Sequence, residues 1–179
     1  SYIINDCIAE VWGYKKARLI IWMGFLMNFL VVCLSQIAVW LPAAPFWKGE
    51  EAFNFVFGLA PRIAVASLIA FLVGSFLNAY VMSRMKLASR GKHFSTRAIL
   101  STLAGESADS LIFFPIAFGG LIPVTDLLKM MLIQAVAKTL YEILVLPVTV
   151  RVVNFIKKEE GSDVFDEDIS YNILKVKDF

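Results

Sequence analysis

Glu106 and Asp109 stand three residues apart, and Lys138 and Glu142 four apart, inside stretches that are otherwise almost wholly apolar. An ionisable side chain at bilayer depth costs at least ~2.5–3.5 kcal/mol, so such groups mark solute or ion pathways by default. The first pair lies one helical turn apart on a common face. Two carboxylates so placed in a low dielectric need a cation or a proton between them. Lys138 is the candidate cation, either for Asp109 across a hairpin or for Glu142 on its own helix. The expected chemistry is binding and moving a polar solute, with no bonds made or broken. GxSxG, HExxH and EExxxR patterns are absent, and the single histidine, His93, falls in a basic loop. Cys7 and Cys33 have no partner spacing for a metal site or a disulfide framework.

These residues must be carried by membrane helices. The chain is 59% hydrophobic and only 18% charged, with fifteen phenylalanines, and its mean hydropathy is +0.72. That balance excludes an ordinary soluble domain. Apolar runs of the ~20 residues that span a bilayer occur at about 19–41, 63–82, 98–121 and 127–153, leaving a tail at 154–179. GGLIPVTD between the last two runs is short enough to force an antiparallel hairpin. The expected fold is an all-α, polytopic helical bundle forming one membrane domain.

Basic residues orient it. Lys15, Lys16 and Arg18 precede the first run; Arg84, Lys86, Arg90, Lys92 and Arg97 separate the second from the third; Arg151, Lys157 and Lys158 close the fourth. The other side has Lys48, Arg62 and Lys129 against Glu50, Glu51 and Asp126. The positive-inside rule makes the first set, and with it the C-terminus, cytoplasmic. The tail is acidic and polar, and is expected to lie in water as a short surface helix or without structure. FWKGEEAFNFVF, in the loop 42–60, reads as an interfacial or re-entrant segment with Trp47 at headgroup level.

Ahead of the first run, Asp6 and Glu10 form an i,i+4 pair before Trp12-Gly13-Tyr14, an interfacial aromatic turn. This segment fits the cytoplasmic end of an earlier span. Because the first residue is Ser, the N-terminus is expected to be truncated. On the second run Ala66, Ala70, Gly74 and Asn78 share one face. Small residues at that spacing let helix backbones approach closely, while the Asn78 amide can serve either a ligand or a neighbouring helix. Thr102, Glu106, Asp109 and Phe113 form a stripe on the third run, which Pro115 interrupts. Gln134, Lys138, Tyr141 and Glu142 occupy adjacent turns of the fourth, before Pro147.

NDCIAEVWGYKKAR, GSFLNAYVMSRMK and STLAGESADSLIFFPIAF, followed by Lys138, Tyr141, Glu142 and Pro147, occur in that order. Together they resemble the queuosine precursor transporter family, grouped with vitamin uptake transporters. The resemblance runs from Asn5 to about Lys158. It implies a six-helix protein of the bacterial inner membrane that imports 7-cyano-7-deazaguanine, 7-aminomethyl-7-deazaguanine or queuine for tRNA modification. The implied partners are a nucleobase-like small molecule and membrane lipid, with no nucleic acid and no cofactor; a homo-oligomer or a separate ATPase module stays open. An alternative within the resemblance is the substrate-binding subunit of a multi-component vitamin or nucleobase importer. An intramembrane enzyme and a purely structural subunit are the competing readings.

A deazaguanine presents N1–H and an exocyclic amine side by side, which one carboxylate, Asp109 or Glu106, can accept together. Its O6 suits a donor such as Lys138 or Asn78. Its face suits Phe113, Phe114 or Tyr141, stacking being worth ~1–3 kcal/mol per base. Gln134 and Glu142 complete the expected binding set, and Asp6 and Glu10 are placed at a cytoplasmic gate. A cationic aminomethyl base would gain ~2.3 kcal/mol per 100 mV on entry, and a neutral cyano base would gain nothing.

Overall fold

A computed structural model describes residues 1–57 and 61–175. Gly58, Leu59 and Ala60 of the expected interfacial loop, and the last four residues of the expected tail, lie outside the described residues. Five helices follow in order: α1 Tyr2–Trp40, α2 Glu50–Phe57, α3 Pro61–Ala88, α4 Phe94–Phe118 and α5 Val124–Glu160. Among the described residues, α1, α3, α4 and α5 are long and apolar enough to cross a membrane. They form an all-α bundle whose only extended pairing, among the described residues, is a bridge between Gly119 and Ile122 in the α4–α5 turn.

The helices outrun the apolar stretches. With 37 residues, α5 reaches roughly 55 Å at 1.5 Å per residue, well beyond a ~30 Å hydrocarbon core. Hydropathy marks only the lipid-facing part, and the polar ends keep their helical hydrogen bonds in water or against protein. α1 joins the segment before the first apolar run to that run, with a break at Gly13 (φ 80, ψ 176). A left-handed backbone angle of this kind favours glycine, so Trp12-Gly13-Tyr14 is a turn between two helical pieces.

The bundle is polar inside and apolar outside. Leu26 and Leu144 are 63% and 79% exposed, while Asp6, Glu10, Asn78, Arg97 and Ser101 are buried. α3 and α4 pack almost backbone to backbone. A Cβ added at Gly74 would lie 2.9 Å from the Gly105 carbonyl oxygen, and one at Gly105 would lie 2.8 Å from that of Gly74. The Tyr2 ring covers this contact. Around the Gly13 break, Tyr14, Ala17, Ile21, Phe76, Ala79 and Met82 form the apolar core. At the opposite end Arg62 donates to the carbonyls of Ile116 and Gly119 and ties α3 to the α4–α5 turn.

In the described part of the 42–60 loop, α2 stands as a short helix with no buried residue. The rings of Trp47 and Phe53 are 5.6 Å apart, and those of Phe53 and Phe57 4.6 Å.

The tail departs from expectation. Residues 161–175 are mostly exposed but form no helix; they are docked as a strap across the Gly13 turn. The buried Asp166 carboxylate accepts the Tyr14 amide at 2.9 and 3.1 Å and the Ser83 hydroxyl at 2.5 Å. Val164 N–H donates to Val11 O at 3.1 Å. Arg18 donates to Asn172 O at 2.8 Å, and Trp22 to Ile173 O at 2.9 Å. Asp163 binds Lys86 at 2.5 Å and Lys157 at 2.9 Å. The break at Gly13 frees the Tyr14 N–H and the Val11 carbonyl, and the strap supplies the Asp166 carboxylate as acceptor for the first and the Val164 N–H and Ser162 hydroxyl as donors to the second. Hydropathy sees only the polarity.

Candidate functional site

Tyr2, Asp6 and Glu10 follow one another at i,i+4, so the first piece of α1 presents one face of three successive turns to α4 and α5. Each turn meets a different polar layer.

Tyr2 borders a cavity of about 400 Å³ whose wall includes Asn28, Phe71, Thr102, Glu106, Asp109, Lys138, Tyr141 and Glu142. That is a volume typical of small-molecule sites. Lys138 Nζ donates to Glu106 Oε2 at 2.6 Å and lies 3.9 Å from Asp109 Oδ2. Glu106 is 3% exposed, Asp109 18% and Lys138 42%. The hairpin between α4 and α5 brings this base to both acids. Two carboxylates facing one ammonium leave an excess of acceptor capacity, and Asp109, the more open acid, holds most of it. Such a wall calls for a ligand rich in N–H donors.

Asp6 occupies the second layer with no exposure at all. It accepts Asn78 Nδ2 at 2.9 Å, Ser101 Oγ at 3.1 Å and Thr102 Oγ1 at 3.5 Å. Glu142 borders both this layer and the cavity. In the third layer Glu10 accepts Arg97 Nη1 at 2.5 Å and Nη2 at 3.0 Å, and Lys157 at 2.6 Å. Lys86 closes the layer by donating to the Glu10 carbonyl.

The cavity thus gathers Glu106, Asp109, Lys138, Tyr141 and Glu142 from the sequence candidates. Asn78, Gln134, Phe113 and Phe114 are not in its wall. Asn78 is buried behind it, bonded to Asp6. Phe113 and Phe114 contact each other at 5.4 Å and pack with Phe118. Asp6 and Glu10 stand in the two layers beneath the cavity. Sequence reasoning passed over Tyr2, Ser67 and Phe71 as wall residues. The small-residue face of α3 held a usable signal: where Gly74 and Gly105 bring backbones together, a flanking ring such as Tyr2 must fill the step.

Among the described residues no group of three or more His, Cys, Asp or Glu side chains could hold a metal ion. Burial pushes the Asp163 carboxyl up, but hydrogen bonds and charge from Lys86 and Lys157 outweigh it and leave the group below its ordinary value.

Residues 1–152 match the family described as "Putative vitamin uptake transporter". A Bacillus subtilis protein named "Probable queuosine precursor transporter" is 25% identical over 167 residues, covering 90% of this chain and 71% of that protein. The Escherichia coli protein named "Queuosine precursor transporter" is 28% identical over 117 residues, 65% of this chain and 50% of its own length. A Haemophilus influenzae relative with the "Probable" form of the name is also 28% identical over 117 residues, covering 65% of this chain and 47% of itself. The matched part is thus about half the length of two of these relatives. No solved structure matches the chain. The matched region holds α1, α3, α4 and most of α5 together with the charged cavity wall, and this integral membrane protein belongs to the vitamin uptake transporter family, a family of transporters rather than enzymes.

Proposed function

We propose that the protein imports 7-deazaguanine precursors of queuosine across the bacterial inner membrane, with its C-terminal strap on the cytoplasmic side. The observation that carries this reading is the unequal charge of the cavity wall, where Glu106 and Asp109 face the single ammonium of Lys138. Glu106 is engaged at 2.6 Å and Asp109 only at 3.9 Å, so Asp109 is the acceptor for the adjacent N1–H and amine of the base. Lys138 is the donor for O6. Phe71, Tyr2 and Tyr141 supply the rings for its faces. The names of the relatives support the choice of base. The orientation follows from the basic residues Lys15, Lys16, Arg18, Arg84 and Lys86, which lie at the strap end of the helices.

The test uses bacteria unable to make queuosine precursors, expressing the intact gene product and fed each deazaguanine at a limiting concentration. Queuosine in tRNA is the readout. Wild type restores it, and Asp109→Asn at equal membrane abundance lowers uptake ten- to a hundred-fold, as expected for a charge-assisted hydrogen bond of ~1.5–3 kcal/mol. Undiminished uptake by the variant would remove Asp109 from the site. No queuosine from any base would end the reading.

A further inference from the structure

Beneath the cavity two acids meet without a cation. Asp6 is wholly buried and Glu142 is 3% exposed. Glu142 lies beside Asp6 and beside Thr102, whose hydroxyl donates to Asp6 at 3.5 Å. Glu142 Oε2 is buried with no hydrogen-bond donor. Every nearby cation is already matched. On α4, Arg97 is held by Glu10; on α5, Lys138 is held by Glu106 and Lys157 by Glu10 and Asp163; on α3, Lys86 is held by Asp163. The other titratable groups near the pair are Tyr2, Cys7 and Glu10 on α1 and Glu106 and Asp109 on α4, and the Ser1 amino group in the cavity wall acts on Glu106.

Two ionised carboxylates in contact in a low dielectric repel, and a single proton between them converts the repulsion into a hydrogen bond. A metal cation fits poorly, because the groups turned to Asp6 are donors: the Asn78 amine and the Ser101 and Thr102 hydroxyls. A proton is the one missing donor, and Glu142 Oε2 is the acceptor that lacks one. Glu142 also borders the solute cavity, one turn of α5 below Lys138.

We propose that Asp6 and Glu142 hold one exchangeable proton between them, and that this proton is the ion coupled to solute entry. The second half rests on the transport reading above; the first does not. Coupling follows from adjacency. A base that draws on Lys138 and Glu106 changes the field at Glu142, and by linkage the proton changes the affinity for the base by the same factor.

Two measurements separate the parts. In the infrared spectrum of the purified protein, a protonated-carboxyl stretch is expected at neutral pH, lost in Glu142→Gln and in Asp6→Asn. Since a variant can fail to fold, the wild-type band decides: its absence at neutral pH overturns the shared proton. In vesicles holding the intact protein, an acid-outside gradient of one pH unit should support about ten-fold accumulation of the base for one proton per solute. Asp6→Asn should still exchange labelled base yet accumulate none. Accumulation that follows a sodium gradient and ignores pH, or an Asp6→Asn variant that accumulates as wild type does, overturns the coupling. A wild type that shows the carboxyl band but exchanges no deazaguanine leaves the shared proton standing and removes the proposed function instead.

Discussion

Arg97 grips Glu10 with two parallel hydrogen bonds, Nη1 to Oε2 at 2.5 Å and Nη2 to Oε1 at 3.0 Å, and each side chain is about 1% exposed. Lys157 approaches the same carboxylate from α5 at 2.6 Å. One acid on α1 therefore fastens α4 and α5 together just below the Asp6 layer. The planar fork of arginine matches a carboxylate in a way that a lysine ammonium cannot.

Removing the acid strands a buried guanidinium. Glu10→Gln should destabilise the bundle by about 3–5 kcal/mol, the usual cost of breaking one side of a buried pair. Arg97→Lys should also lower the thermal midpoint, because it keeps the charge but loses the fork. Tryptophan fluorescence during melting in detergent reads both, and an unchanged midpoint for Glu10→Gln would show that the pair contributes nothing to stability.

The contact of Gly74 with Gly105 makes a second prediction. At either position a methyl group would meet backbone, 2.8–2.9 Å from a carbonyl oxygen, and backbone cannot rotate aside as a side chain can. Gly74→Ala and Gly105→Ala should each cost about 1–3 kcal/mol by overpacking. Their effects should not add, since the first substitution already separates the helices that the second would part. Additive losses in the double variant would mean that the two glycines do not share one contact.

Acid should loosen the strap. The folded carboxyl of Asp163 sits below its ordinary value, with burial opposing and Lys86 and Lys157 imposing the shift. The stabilisation is complete above the unfolded value and is lost as pH falls through the depressed folded one. Protease cutting within 161–175 should therefore rise only below the ordinary carboxylate range. Asp163→Asn should show the increased cutting already at neutral pH. Cutting that is equal in both proteins at every pH would sever Asp163 from strap docking.

The membrane helices and the α4–α5 hairpin were legible in the chain, because apolar runs and a short turn determine them almost alone. That Lys138 can meet an acid of α4 across the hairpin was legible for the same reason, but spacing offered Asp109 or Glu142, and the shorter bond goes to Glu106. The strap was not. Asp166 reaches Tyr14 across 152 positions, and polarity alone cannot distinguish a segment in water from one that supplies acceptors to a broken helix. Phe113 and Phe114 show another limit. Phe113 is on the stripe with Asp109 and Phe114 is next to it, yet which side of a helix meets a cavity depends on its neighbours, and Phe71 of α3 takes the wall instead. Asp6 and Glu10 read as a pair by spacing, but their partners Asn78, Ser101, Arg97 and Lys157 lie on three other helices.

The seat of Asp166 on the Tyr14 amide has a consequence for the birth of the protein. Both members of this contact belong to one chain, and the turn is made first. At the usual ~5–20 residues per second of synthesis, roughly eight to thirty seconds separate the emergence of Tyr14 from that of Asp166. During that interval the nascent helix break must rely on water or on the insertion machinery for its hydrogen bonds. The helical piece before Gly13 gains this anchor only once the strap has emerged, long after the turn itself has been made.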